Sequence, residues 1–199
     1  WIHVPEGIAP TAYLNAADRI VAGRFDVFAL HDIELGSPPH WNRDPRSGIN
    51  APLTFGKLLD YRDPHQVGDI KYLWEPNRHL HLVTLAQAYA LSGDRKYLAT
   101  IVSHLESWFA ACPAGLGANW SSSLEAGIRL INWSVTWQLL GGVHSPLFQE
   151  PELAGFRERW LQSVFQHAEF IQGHFSLYSS ANNHLIGELA SLHLADAAF

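Results

Sequence analysis

Asn182, Asn183 and His184 stand together where an apolar helical repeat begins, and amide and imidazole side chains at such a place can grip a carboxylate. Leu185, Ile186, Leu189 and Leu192 mark the apolar stripe, while His184, Glu188 and Ser191 follow the i, i+4, i+7 spacing of a second, polar face. Asn183 lies one position earlier, beside a first turn whose free N–H groups and positive dipole end favour an anion. Neutralising a carboxylate makes the adjacent C–H acidic, and donors aimed at the charge that then develops lower the barrier to removing that proton. Asn183 and His184 are therefore the candidate catalytic pair, His184 also as a general base because imidazole titrates near neutrality. Asn182 and Glu188 are candidate substrate contacts. A purely structural account also exists: an asparagine caps the helix, and His184 with Glu188 forms a solvated i, i+4 pair.

Two further polar groupings precede helices. Glu75 and Arg78 are three apart, with Pro76 suited to a first helical position. They form either a surface ion pair, contributing about 0–1 kcal/mol, or a substrate clamp in which Glu75 steadies a guanidinium suited to planar anions. Ser122 and Glu125 fit a capping box, and Glu125, Arg129, Asn132 and Thr136 make a polar stripe opposite Leu124, Ile128, Ile131 and Val135. Glu125 and Arg129 are candidate substrate contacts, and Trp120, in the loop before them, is the candidate sugar-stacking ring. His79 and His81 cannot face the same side of one helix, and there is neither a His-Glu-x-x-His motif nor a second cysteine, so no metal or cofactor is expected.

These residues need a helical frame. Thr11 to Gly23 reads as a helix, Phe25 to Leu30 as a short strand by its alternation, and Gly36 to Gly68, dense in proline and glycine, as a long ordered loop with a short helix near Phe55 to Leu59. Helices are expected at about Pro76 to Ser92, Asp94 to Ala111, Ser122 to Leu140, Pro151 to Gly173 and Asn182 to Ala198. In the turn Ser92-Gly93-Asp94, glycine ends one helix and Asp94 caps the next. The expected class is all-α: a single domain over 1–199, with an irregular lead-in to about residue 70 and helical hairpins from about 71 to 199.

With 199 residues and 47% hydrophobic side chains the chain can bury a core. A formal charge of −6 and the lack of a Lys/Arg run exclude a nucleic-acid partner. A polyanionic ligand needs only local positive charge, which Lys71, Arg78 and Arg129 can supply. Cys112 is the single cysteine, leaving no internal disulfide, and no apolar run is long enough for membrane insertion. No signal peptide is present. The chain opens at Trp1 and closes directly after its last helix, so both ends read as cuts in a longer polypeptide.

Four blocks in order carry a resemblance: Trp41-Asn42-Arg43-Asp44-Pro45, Asp69 through His79, Asn119 through Arg129, and Asn182 through Glu188. Together they resemble the N-terminal toroid region of the heparinase II/III-like polysaccharide lyases. The resemblance implies an incomplete (α/α) toroid and a lyase that cleaves uronate-containing acidic polysaccharides by β-elimination, with an asparagine and a histidine of the last block on the uronate carboxylate. It also implies that a proton-exchanging tyrosine and a further histidine lie beyond residue 199. The missing C-terminal part of the same polypeptide would then complete the site, Tyr178 would not take that role, and the 199 residues alone would have little activity. The native location implied is periplasmic or secreted. Beside this stand an (α/α) toroid glycoside hydrolase with opposed carboxylates drawn from Glu75, Glu125 and Glu188, and a noncatalytic glycan-binding toroid. Glu75, Arg78, Trp120, Glu125, Arg129, Asn183 and His184 are expected along one concave surface.

Overall fold

The computed structural model describes residues 6–153, 155–178 and 181–199. Among them, helices α1 (Thr11–Val21), α4 (Leu80–Ser92), α5 (Arg95–Ala111), α6 (Ser123–Leu139), α7 (Phe156–Gly173) and α8 (Asn183–Ala198) form the frame, with two shorter helices, α2 (Pro64–Val67) and α3 (Ile70–Asn77), before α4. Local chemistry sets their ends. Asp94, Ser122 and Asn182 each cap a helix by accepting a backbone N–H, from Lys96, Glu125 and His184 respectively. Gly93, at φ 70°, stops α4 in the left-handed conformation.

The helices stack in two layers. Helices α4, α6 and α8 lie side by side; α5 and α7 pack behind them, and α1 covers α4. Hairpin connections make the three inner helices parallel, so their N-termini share one end of the stack. The contact of α6 with α8 depends on two glycines. A Cβ on Gly127 would stand 2.9 Å from Ser191 Oγ, and one on Gly187 would stand 2.8 Å from Leu124. The core is aromatic, with Trp108, Trp120, Trp133, Trp137 and Trp160 fully buried between the layers. The all-α class and the incomplete (α/α) toroid are what the sequence implies.

Several local expectations change. Pro76 is not a first helical residue: it lies near the C-terminal end of α3, where Arg78 N and His79 N bond three residues back to Glu75 O and Pro76 O. The chain then bends at His79, φ 62°, before α4 begins at Leu80. That bend also corrects the histidine argument, because His79 is outside the helix and its ring comes within 5.4 Å of the His81 ring. The expected single strand is one half of a hairpin, β1 (Arg24–Val27) paired antiparallel with β2 (Leu30–Glu34). The helix near Phe55 is a single 3-10 turn at Gly56–Leu58, and α7 begins at Phe156, after 3-10 turns, rather than at Pro151.

The long loop is held by its own polar groups. Buried Asp44 accepts bonds from the backbone N–H of Arg46, Ser47 and Asp69 and from Ser47 Oγ. Asn77 donates to Trp41 O and Leu73 O and accepts from Trp108 Nε1, tying loop, α3 and α5 together. The first matched block, Trp41 to Pro45, is thus architectural.

Candidate functional site

At the end where α6 and α8 begin lies a groove of about 750 Å³. Its lining brings together Ser121–Glu125 from the start of α6, His174–Leu177 and His184 with Phe28, Lys57, Tyr61, Arg62, Lys71, Trp74 and Arg78. Lys57, Arg62 and Lys71 line it without a carboxylate partner among the described residues, whereas Arg78 is paired with Glu75 and Glu125, in a chain of net charge −6. Such a local excess draws anions even to an acidic protein.

The expected residues divide into three sets. Asn183 and His184 are exposed at the start of α8, and neither side chain has a partner among the described residues. Asn182 supplies the cap: its Oδ1 accepts from His184 N at 3.1 Å. The capping account therefore holds for Asn182 and leaves Asn183 and His184 free.

Glu75, Arg78 and Glu125 form the second set. Arg78 forks onto Glu125 at 2.7 and 2.9 Å and donates to Glu75 at 2.7 Å, which raises its pKa, the bond to Glu125 first. The cluster joins α3 to α6 and carries one net negative charge, so Arg78 adds no net positive charge for a ligand. Sequence spacing anticipated the Glu75 contact but paired Glu125 with Arg129.

The third set is buried. Trp120 is 1% exposed, its Nε1 donates to Cys112 O, and its ring stands 4.5 Å from that of His167. It offers no face to a sugar. Arg129 is 1% exposed and donates to His167 Nε2, Asn77 O and Asn119 O at 2.8–2.9 Å, with its guanidinium 4.5 Å over Trp108. Burial lowers its pKa to about 10. It ties the end of α3, the 3-10 turn at Ala118–Trp120 and α7 together behind the groove and cannot reach a ligand. Glu188 is fully buried; it accepts from Ser123 Oγ at 2.7 Å, Ser176 N at 2.8 Å and Ser176 Oγ at 2.6 Å. It is neither a substrate contact nor paired with His184. It ties the strand of chain before α8 to the start of α6.

Lys57 and Arg62 were absent from the sequence reading because they come from the long loop, where nothing in their spacing marks them. Close backbone contact brings Lys57 in. Gly56 N donates to Gly115 O, Gly117 N donates to Thr54 O, and a Cβ on Gly56 would stand 2.5 Å from Trp120 O. Only glycine fits there. Lys57 Nζ then donates to Ser121 O at 3.2 Å, and burial of that end lowers its pKa. Among the described residues no cluster of His, Cys, Asp or Glu could hold a metal ion.

Two layers of helical hairpins with a groove at the inner helix starts are the geometry of an incomplete (α/α) toroid. The family described as Heparinase II/III N-terminus matches residues 31–199, and the chain belongs to it. Among solved structures it is similar to heparan sulfate lyase HepC from Pedobacter heparinus, with a TM-score of 0.69 and 19% sequence identity. That likeness covers 98% of this chain and 28% of the other, so the chain spans less than a third of its neighbour's length. No curated protein matches it.

Proposed function

We propose that this chain supplies the carboxylate-binding half of the active site of a polysaccharide lyase that cleaves uronate-containing acidic glycans by β-elimination. The observation that carries the reading is that His184 lines a cationic groove, with the unengaged Asn183 one residue before it at the start of α8, in a chain of the heparinase family. A glycan along the groove would set its uronate carboxylate against the Asn183 amide and the His184 imidazole. As a base takes the proton from the adjacent carbon, that electron pair forms the double bond and expels the glycosidic oxygen, which takes a proton from an acid. Donors to the carboxylate act most strongly as its charge builds, and losing one costs typically about 2.7–4 kcal/mol of barrier. His184 can donate or act as the base.

The acid comes from the rest of the full-length protein, whose following segment would cover the exposed Ile186, Leu189 and Leu194 of α8. The 199 residues alone are expected to bind acidic oligosaccharides weakly without appreciable turnover. The native protein would be periplasmic or secreted. The hydrolase reading is weaker, because Glu75 and Glu125 both engage Arg78 and Glu188 is buried among serines. The test is to incubate the full-length protein with a panel of uronate polysaccharides. Unsaturated uronate ends support the lyase; saturated products would favour a hydrolase, and saturable binding with no product a binding module.

A further inference from the structure

The β1–β2 turn holds a large aromatic side chain in a conformation that aromatic residues seldom adopt. Phe28 stands at the tip with φ 51°, in a two-residue connection between Val27 and its register partner Leu30. Glycine or asparagine is the usual occupant of a left-handed turn position, and a bulky residue there is uncommon. Such backbone strain persists where the surrounding structure or a function requires it. Burial does not require it here, since Phe28 is 50% exposed and its one ring contact among the described residues is edge-on with Tyr72, ring centroids 5.1 Å apart.

What Phe28 does is face the groove. In the same lining, Tyr61 and Trp74 lie 5.4 Å apart, and Trp74 is fixed by its Nε1 bond to Ala118 O. Two cations line it as well. Among the described residues the Lys71 side chain has no partner, and Arg62 lies 4.7 Å over the Tyr61 ring with no carboxylate paired to it. The lining also includes His184, Ser176 and Leu177. Aromatic faces flanked by unpaired cations complement a sugar ring that bears anionic substituents, because the C–H face of the ring stacks while its charged groups meet the cations.

We infer that these residues of the groove lining form a glycan subsite beyond the Asn183–His184 pair, in which an anionic sugar stacks on Phe28, Tyr61 and Trp74 and is held by Lys71 and Arg62. The inference rests on the proposed function. Its test is the steady-state kinetics of the full-length protein on a heparan sulfate hexasaccharide and an alginate hexasaccharide. Phe28→Asn removes the ring and relieves the turn, so the thermal midpoint stays at the wild-type value while KM rises about tenfold, the scale of one lost aromatic contact, with kcat unchanged. Lys71→Gln should raise KM at low salt and converge on wild type at high salt. A Phe28→Asn protein with wild-type KM and a lowered thermal midpoint would make Phe28 a packing residue and overturn the subsite alone. A wild-type protein with no turnover on either glycan would overturn the function and the subsite together.

Discussion

The groove and the polar core behind it are built from the same residue types, arginine, histidine, asparagine and glutamate, yet they differ in what their hydrogen bonds are free to do. In the core, Arg129 has three acceptors, Asn77 fills its amide, and Glu188 has three donors from two serines. At the groove, His184 and Lys71 have no side-chain partner among the described residues, nor does Asn183 beside His184 at the start of α8. A buried donor without an acceptor costs about 1–3 kcal/mol, so Arg129, Asn77 and Glu188 are satisfied internally, although His79 Nε2, His81 Nε2, His104 Nδ1, Asn119 Oδ1 and Trp160 Nε1 are buried without a partner among the described residues. An exposed donor can wait for a ligand. Residue type within a motif therefore says less about function than whether its hydrogen bonds are already taken.

That contrast can be broken at several points, from the largest expected effect down. Arg129→Met should lower stability by on the order of 4 kcal/mol, through two orphaned carbonyls and a packing defect. Chemical denaturation measures it, and a loss below about 1 kcal/mol would mean the core does not depend on this side chain. Asn183→Ala should do the opposite: leave the melting temperature alone and lower kcat of the full-length protein about 10²–10³-fold with little change in KM. Near-normal turnover would remove Asn183 from the chemistry.

Acid should separate the two regions as well. Burial holds His79, His81 and His167 well below the usual imidazole pKa and lowers His104 to about 4. In the unfolded chain each protonates near pH 6.5, so protons favour unfolding below that value; the stability is complete above about pH 6.5 and lost as pH falls toward the depressed folded values. At pH 5 the loss is roughly 2 kcal/mol per histidine. The check is the slope of unfolding free energy against pH, which His104→Gln should reduce by about one proton. A flat profile between pH 6.5 and 5 would contradict neutral burial.

The smallest effect distinguishes a clamp from a chemical role at Glu188. Glu188→Gln can still accept from Ser176 N while its amide donates to the Ser123 and Ser176 hydroxyls, which can reverse direction. It should lie within about 1 kcal/mol of wild type in stability and keep kcat, whereas Glu188→Ala should lose on the order of 1–2 kcal/mol and some turnover. If Glu188→Gln were as inactive as Glu188→Ala with its stability intact, the carboxylate itself would be needed for the reaction.

Much of the helical frame was legible because its signals are local. Asp94, Ser122 and Asn182 act as caps, Gly93 as a stop, and the apolar repeats run close to the lengths of α5, α6 and α8. Pro76 misled because a proline near the end of one helix and one at the start of the next look alike in sequence, and the deciding event is the left-handed turn at His79, packed against Trp41 and Trp108. Trp120 and Arg129 were read as ligand contacts from motif and stripe; their burial depends on α5 and α7 closing behind them, which helical periodicity does not encode.

By itself the sequence determined which segments are helices, how they are capped, the ordered blocks that place the chain in its family, and the placement of Asn183 and His184 at a helix start. Only the tertiary structure decided that Arg78 engages Glu125 as well as Glu75, that Glu188 serves serines, and that Lys57, Arg62 and Phe28 reach the groove. The reason is physical: capping and periodicity act over a few residues. Whether a polar side chain is free or already hydrogen-bonded depends on groups that lie 47 residues away for Arg78 and Glu125, and 65 for Ser123 and Glu188.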